Sequence, residues 1–107
     1  MTPEGKLKKS VKAYLISIGV WFPGQPQPKN MTGWMYMPSA GPFGAAGIPD
    51  FCGIYRRKPF YIETKGPDGS LRPSQIDRAQ EITAAGGVVV SVWSLEELIA
   101  TIESWED

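Results

Sequence analysis

The chain contains no histidine and only one cysteine, Cys52. Without histidine, the Ser-His-Asp and Cys-His hydrolytic arrangements and any His-ligated zinc site are excluded. A single cysteine excludes an internal disulfide and is typical of a reducing compartment, so we expect a cytoplasmic protein. We interpret Cys52 as a small core residue rather than a nucleophile. Proton chemistry would therefore depend on carboxylates, lysine, tyrosine or metal-bound water.

Long apolar runs are absent as well. No stretch approaches the roughly 20 apolar residues of a membrane span, and the N-terminus lacks the apolar segment of a signal peptide, so we expect no membrane association. The 107 residues are 42% hydrophobic and 21% charged, which is ordinary for a globular protein. We therefore predict a single domain over residues 1–107, with a small core that a second copy of the chain could help to stabilise.

The chain has no excess charge of either sign, but its charges are unevenly distributed. All eleven Lys and Arg lie in residues 1–78, which carry a net charge of +6, and residues 79–107 carry −6. A basic part of this kind predicts a face that binds a polyanion such as DNA. The alternative is that the two sequence segments do not form separate faces of the fold. The candidates for phosphate contacts, which could equally be solvated charges, are Arg56, Arg57, Lys58, Arg72 and Arg78.

The hydrophobic spacing predicts three helices and five strands. The helices are expected over residues 3–18, over 73–85 with an apolar stripe of Ile76, Ala79 and Thr83 or Ile82, and after a capping box at Ser94. The strands are expected over residues 20–22, 31–37, 51–57, 60–65 and 88–93, the last a near-continuous apolar run typical of a buried strand. This order indicates an α/β fold, a mixed β-sheet flanked by helices.

The third and fourth strands are predicted to form a hairpin with a tight turn around Lys58-Pro59. A regular hairpin brings Asp50, which follows a proline turn, towards the Lys65 end of the partner strand. Strand alternation places Glu63 and Lys65 on one face, roughly 6.6 Å apart. Two converging carboxylates suit Mg²⁺ or Mn²⁺, and the backbone carbonyl of Thr64 could add a ligand. A lysine beside them fits phosphodiester hydrolysis, although a turn aspartate and a solvated strand face would give the same pattern.

The middle of the chain is rich in aromatic residues and methionine. Alternation would place Trp34 and Tyr36 on one face of the second strand and Met35 and Met37 on the other. The aromatic residues that could stack on bases, or instead contribute to the core or to a dimer contact, are Trp21, Trp34, Tyr36 and Phe43. The following segment, Ser39 to Gly47, is rich in Gly, Ala and Pro and is predicted to be a loop.

These motifs occur in an order that resembles a known family. Gly47-Ile48-Pro49-Asp50 is followed by Ile62-Glu63-Thr64-Lys65-Gly66 and by Ser74-Gln75, with Glu4 on a first helix and a closing pattern over residues 86–97. The sequence resembles the PD-(D/E)XK nuclease superfamily and, within it, the stand-alone phage or bacterial type of virus-type replication-repair nuclease (VRR-NUC) domain.

The resemblance implies a restriction-endonuclease-like core and a Mg²⁺- or Mn²⁺-dependent endonuclease. The metal ligands would be Asp50, Glu63 and the backbone carbonyl of Thr64. The catalytic residues would be Asp50, Glu63, Lys65, Gln75 and Glu4. Family members with this domain alone are expected to be homodimers that cut branched DNA such as four-way (Holliday) junctions. Two alternatives remain open: a non-catalytic nucleic-acid-binding module with the same fold, and a restriction-type nuclease specific for duplex DNA.

Overall fold

A computed structural model describes residues 1–39 and 46–106 of the chain. The predicted loop from Ser39 to Gly47 therefore lies largely outside the described residues, as does Phe43. The helices of the described part are α1 (Pro3–Ser17), α2 (Pro73–Ala84) and α3 (Leu95–Ser104). Its strands are β1 (Val20–Trp21), β2 (Gly33–Tyr36), β3 (Phe51–Tyr55), β4 (Lys58–Thr64) and β5 (Val88–Val92).

Within the described residues the strands form a single five-stranded mixed sheet in the order β1-β2-β3-β4-β5. The β1–β2 and β4–β5 pairs are parallel, whereas β2–β3 and β3–β4 are antiparallel. The parallel β4–β5 pair requires a crossover, which α2 provides. The predicted α/β class, with a mixed sheet flanked by helices, is thus confirmed.

The hydrophobic core lies between one face of the sheet and the helices α1 and α3. Val11 and Leu15 of α1 and Leu98 of α3 are fully buried against strand residues such as Phe60. The N-terminus of α1 forms as predicted, because the Thr2 hydroxyl oxygen accepts the Gly5 N–H at 3.0 Å. This packing fixes the first turn of α1 beside the end of β4.

The turn of the β3–β4 hairpin lies at Arg56 and Arg57, so the prediction of a turn around Lys58-Pro59 is wrong. Both arginines have positive φ angles, 47° and 71°, as the two central residues of a tight type I′ hairpin turn require. Lys58 then pairs with Tyr55 in the ladder, and Pro59 lies within β4. Pro59 is tolerated there because β4 has strand partners on both sides only from Phe60 onwards.

β5 and the predicted apolar stripe of α2 are both less buried than expected. β5 pairs only with β4 and forms an edge of the sheet, so Val88 to Ser91 remain half-buried and only Val92 is buried. In α2, all of which is described, Gln75 alone is buried, and Ile76 is 42% exposed. The helix therefore covers β5 only in part, and its buried position is polar.

No helix among the described residues is both long enough and apolar enough to cross a membrane.

Candidate functional site

The register of the β3–β4 hairpin brings Asp50 and Glu63 together. Phe51 pairs with Ile62, so Asp50 and Glu63 are the next opposite positions at the end of the antiparallel ladder. The Oδ2 atom of Asp50 accepts hydrogen bonds from the backbone N–H of Thr64 at 2.9 Å and from its hydroxyl at 2.7 Å. These two bonds hold the Asp50 carboxylate against the end of β4, as the hairpin pattern predicted.

The backbone carbonyl of Thr64 points towards the same side as Asp50. The Lys65 N–H donates to the Val92 carbonyl of β5 at 2.9 Å. Because the peptide between Thr64 and Lys65 is trans, its carbonyl points away from its N–H, and therefore away from β5. Asp50 and Glu63 line one cavity at the end of β4, whereas Thr64 is fully buried and is not among the residues that line it.

The start of α2 is attached to the Asp50 turn through a close backbone contact. Gly47 has a φ of +81°, and a Cβ atom at this position would overlap the carbonyl oxygen of Ser74. Gln75 follows directly, and its Oε1 accepts the Arg72 N–H at 2.8 Å, which closes the first turn of α2. Gln75 is therefore both the predicted site glutamine and a cap of its own helix.

All five residues predicted to be catalytic line one open cavity of about 770 Å³. They are Glu4, Asp50, Glu63, Lys65 and Gln75. Side chains that sequence reasoning did not assign to a catalytic role, including Lys8, Ser70, Arg72 and Ser74, line the same cavity. The fold thus brings α1, the β3–β4 hairpin and the start of α2 to a common space.

Glu63, Thr64 and Lys65 are consecutive and all buried, with Glu63 and Lys65 each only 6% exposed. Alternation places Glu63 and Lys65 on one face of the strand end and Thr64 on the other, so both faces are covered here. Residues of α1 and of the start of α2 line the cavity beside Glu63 and Lys65. The alternative of a solvated Glu-Thr-Lys face is therefore wrong for this strand.

The pKa values of the two carboxylates are shifted in opposite directions. Burial, followed by the charge and a hydrogen bond of Asp50, raises the pKa of Glu63 to about 8, against the opposing charge of Lys65. Burial alone would also raise the pKa of Asp50, but the hydrogen bonds from Thr64 and the charge of Lys8 bring it below its ordinary value. Near neutral pH, Glu63 is therefore mostly protonated and Asp50 is ionised.

The oxygen donors at the site suit a hard divalent cation, but the side chains of the described residues alone do not complete its coordination. No group of three or more His, Cys, Asp and Glu side chains in residues 1–39 and 46–106 is arranged to hold a metal ion. The oxygen atoms of Asp50, Glu63 and the Thr64 carbonyl nevertheless suit Mg²⁺, which usually keeps several waters or substrate oxygens as ligands. The charge of Asp50, which adds to the effect of burial in raising the pKa of Glu63, is also a repulsion that a cation between the carboxylates would relieve.

Lys8 is the main site residue that sequence reasoning missed. Its Nζ lies 3.3 Å from Oδ1 of Asp50. The signal was present in the sequence, because residue 8 is four positions after Glu4 and so lies on the same face of α1. Four lysines occur within the first twelve residues, however, and only tertiary structure shows which one reaches the cavity.

The five basic residues predicted to contact phosphate do not form one surface. Arg72 lines the cavity. The other four lie elsewhere: Arg56, Arg57 and Lys58 at the turn end of the β3–β4 hairpin, and Arg78 on α2, where it pairs with Glu81 at 2.6 Å. Phosphate binding by these four stays a prediction, whereas Arg72 is positioned beside the carboxylates.

Trp34 and Tyr36 lie on the open face of β2, with exposed fractions of 39% and 47% and ring centroids 5.7 Å apart. Met35 is fully buried on the opposite face, which confirms the predicted alternation. The two aromatic rings therefore do not belong to the core and remain candidates for base stacking or for a contact between copies.

The chain matches no protein-family model, no curated protein and no solved structure.

Proposed function

We propose that this protein is a metal-dependent endodeoxyribonuclease of the PD-(D/E)XK type, with a VRR-NUC-like domain. The observation that supports this most strongly is the convergence of the buried Glu63 and Lys65 and the half-buried Asp50 on one open cavity. Burying charged groups is unfavourable unless they are paired or serve a function, and shifted pKa values concentrate at functional sites. The set is also the one that phosphodiester hydrolysis needs when no histidine is present.

In this proposal Asp50, Glu63 and the Thr64 carbonyl hold Mg²⁺ or Mn²⁺, which would supply an acidified water and neutralise charge on the phosphate. Lys65 orients the attacking water or helps to deprotonate it, and its ammonium group stabilises negative charge that grows on the phosphate. Gln75 presents its amide to the cavity and positions the water or a phosphate oxygen. Glu4 adds a further carboxylate that can accept a hydrogen bond from water in the cavity.

The phosphate would lie between the carboxylates and the start of α2. Backbone N–H groups at a helix N-terminus favour anions, and Arg72 adds a positive charge at this point. The choice of branched DNA, such as a four-way junction, rests on the resemblance to the VRR-NUC domain. A homodimer would present two such sites for paired cuts across a junction. A reducing, cytoplasmic setting in a bacterial or phage-infected cell fits both the substrate and the free, buried Cys52.

One observation favours a second candidate, a non-catalytic nucleic-acid-binding module. Both oxygen atoms of Asp50 already have partners, Oδ2 with Thr64 and Oδ1 with Lys8, so this carboxylate is satisfied without a cation. Such a module would bind branched DNA with a steep dependence on salt and would be indifferent to divalent metal. The buried Glu63 with its raised pKa favours the enzyme over this alternative.

The test is a cleavage assay on end-labelled duplex, 5′-flap and four-way-junction DNA of matched sequence. The purified protein is assayed with Mg²⁺, with Mn²⁺ and with excess EDTA, next to a Lys65→Met variant prepared in the same way. We expect metal-dependent cutting, strongest on the junction, that the variant lacks.

If no DNA is cut in either metal while the junction is bound equally well in EDTA, the binding-module alternative replaces the enzyme. Cutting that persists in the Lys65→Met sample would show that the activity comes from a contaminant. Preferential cutting of the duplex would retain the enzyme and reject the junction preference.

A further inference from the structure

Asp50 has one oxygen that is held by the fold and one that pairs with a partly exposed lysine side chain. Oδ2 is fixed by two hydrogen bonds from Thr64, which belongs to the buried end of β4. Oδ1 is paired with Lys8, a flexible side chain from the second turn of α1, at 3.3 Å. A cation that binds Asp50 through Oδ1 would therefore compete with the lysine ammonium group for this oxygen.

The Lys8 ammonium group is the counterion of Asp50, which is one carboxylate of an acidic cluster in the cavity. Glu4, Asp50 and Glu63 line one cavity, and the charges of Asp50 and Glu4 both raise the pKa of Glu63. Lys65 lies with them but is only 6% exposed, whereas the Lys8 side chain is 35% exposed and has room to swing away on its four-carbon stem. Both members of the Lys8–Asp50 pair are partly exposed, so solvent and salt screen their attraction. Separating the two side chains therefore requires only a small free energy.

We propose that Lys8 is a tethered counterion that stabilises the metal-free site by pairing with Asp50 and leaves Asp50 when a divalent cation binds. This inference rests on the proposed metal-dependent function and adds a positioning residue to it. A displaced Lys8 remains in the same cavity, where a phosphate of bound DNA would be its next anionic partner.

Removal of the Lys8 charge then has two effects of opposite sign. The metal-free protein loses a stabilising ion pair, so its melting temperature falls. The metal site loses a positive charge that competes with the cation, so cation affinity rises. A lysine with only a structural role would lower the stability without tightening cation binding, and the two roles are therefore separable.

The experiment measures Mn²⁺ binding, as the loss of the electron paramagnetic resonance signal of free Mn²⁺ at constant ionic strength, together with the melting temperature in EDTA. Wild type is compared with Lys8→Met, Lys8→Gln and Lys8→Arg. Lys9→Met is the matched control, since Lys9 is the exposed neighbour on the same helix and does not line the cavity. We expect about fivefold tighter Mn²⁺ binding and a melting temperature lower by about 2–5 °C in Lys8→Met and Lys8→Gln. Lys8→Arg should resemble wild type in both measurements.

A double-mutant cycle identifies the partner. In an Asp50→Asn background, Lys8→Met should no longer lower the melting temperature, because the pair is already broken. An unchanged decrease in that background would overturn the assignment of Asp50 as the partner.

The two possible failures are distinguishable. If wild type binds Mn²⁺ and neither neutral Lys8 variant binds it more tightly than Lys9→Met does, the counterion inference fails and the proposed function stands. If wild type and the Lys8 variants all fail to bind Mn²⁺, the proposed metal site fails, and the inference fails with it.

Discussion

The two ends of the β3–β4 hairpin both carry charged residues, but in opposite environments. At the turn end, Arg56 and Arg57 are exposed and Lys58 is half-buried. The Arg56 Nε donates to the Tyr55 hydroxyl at 3.0 Å, and the Lys58 ammonium lies 5.9 Å from the centroid of the Trp105 ring. At the open end, Glu63 and Lys65 are almost completely buried around the Asp50 carboxylate.

The difference is that charged side chains remain solvated at the turn end and are buried at the open end. The turn-end cations keep access to water and to aromatic or hydroxyl partners, so their removal leaves nothing buried and unpaired. At the open end, burial and the charge of Asp50 raise the pKa of Glu63 to about 8, which is unfavourable for an ionised carboxylate. A fold that keeps such a cluster at only one end of a hairpin identifies that end as the candidate site.

The largest expected contrast is in catalysis. If the proposed function holds, Asp50→Asn, Glu63→Gln or Lys65→Met should each lower the rate of Mg²⁺-dependent cleavage by about 10³-fold or more, because each would remove a proposed metal ligand or the charge proposed to lie opposite the phosphate. Single-turnover rates on a four-way junction measure this effect.

Lys58→Ala at the turn end is the matched control, with an expected loss of less than about tenfold that arises from weaker DNA binding. Comparable losses at the two ends would remove the distinction on which the site assignment depends.

The next contrast concerns the backbone contact that joins the Asp50 turn to α2. Gly47→Ala should destabilise the protein by about 3 kcal/mol or more, since it adds both an unfavourable φ and a clash with the Ser74 carbonyl. Gly86→Ala is the matched control: its φ is +101°, but its Cβ would meet nothing within 4 Å, so only the conformational cost of about 1 kcal/mol is expected.

Urea denaturation of both glycine variants measures the difference. If Gly47→Ala were no more destabilising than Gly86→Ala, the close contact between the Asp50 turn and the start of α2 would be wrong.

A third prediction concerns the dependence of stability on pH. The pKa of Glu63 in the folded protein is about 8, above its ordinary value of 4.5, so between these pH values the folded state binds one more proton than the unfolded state. The contribution of Glu63 is therefore fully present below about pH 4.5 and is lost as the pH rises to 8, with a slope of at most about 1.4 kcal/mol per pH unit.

Denaturation of the metal-free protein in EDTA between pH 5 and 8 measures this slope. Glu63→Gln should flatten the curve in that window, because its side chain cannot ionise. The lowered pKa of Asp50 acts in a different window, near and below its ordinary value of 3.8, where stability is lost as the pH falls. If stability still fell with the same slope between pH 5 and 8 in Glu63→Gln, a group other than Glu63 would be responsible for the pH dependence.

The smallest effect is expected at the turn end. Glu106→Gln weakens the 2.7 Å hydrogen bond that its carboxylate accepts from Tyr55, and should destabilise the protein by about 1 kcal/mol. Thermal denaturation measures this effect. A loss as large as that expected for Gly47→Ala would contradict the ranking of the two ends.

Local patterns were sufficient to predict the hairpin, the flanking helices and the convergence of Asp50 with Glu63. They failed at the turn, because Pro59 is a strong turn signal and two consecutive arginines with positive φ are not. They also failed at β5, because a continuous apolar run does not distinguish a central strand from an edge strand. Lys8 was missed since only the packing of α1 decides which of its lysines reaches Asp50.

The central claim is that Asp50 and Glu63 together form a cation site, and proton release on metal binding tests it most directly. Calorimetric titration of the protein with Mn²⁺ at pH 6.5, in two buffers with different heats of ionisation, counts the protons released per metal bound. Because Glu63 is mostly protonated at this pH and must ionise to bind a cation, wild type should release about one proton and Glu63→Gln about none. Wild type that binds no Mn²⁺, or releases no more protons than Glu63→Gln, would contradict the account.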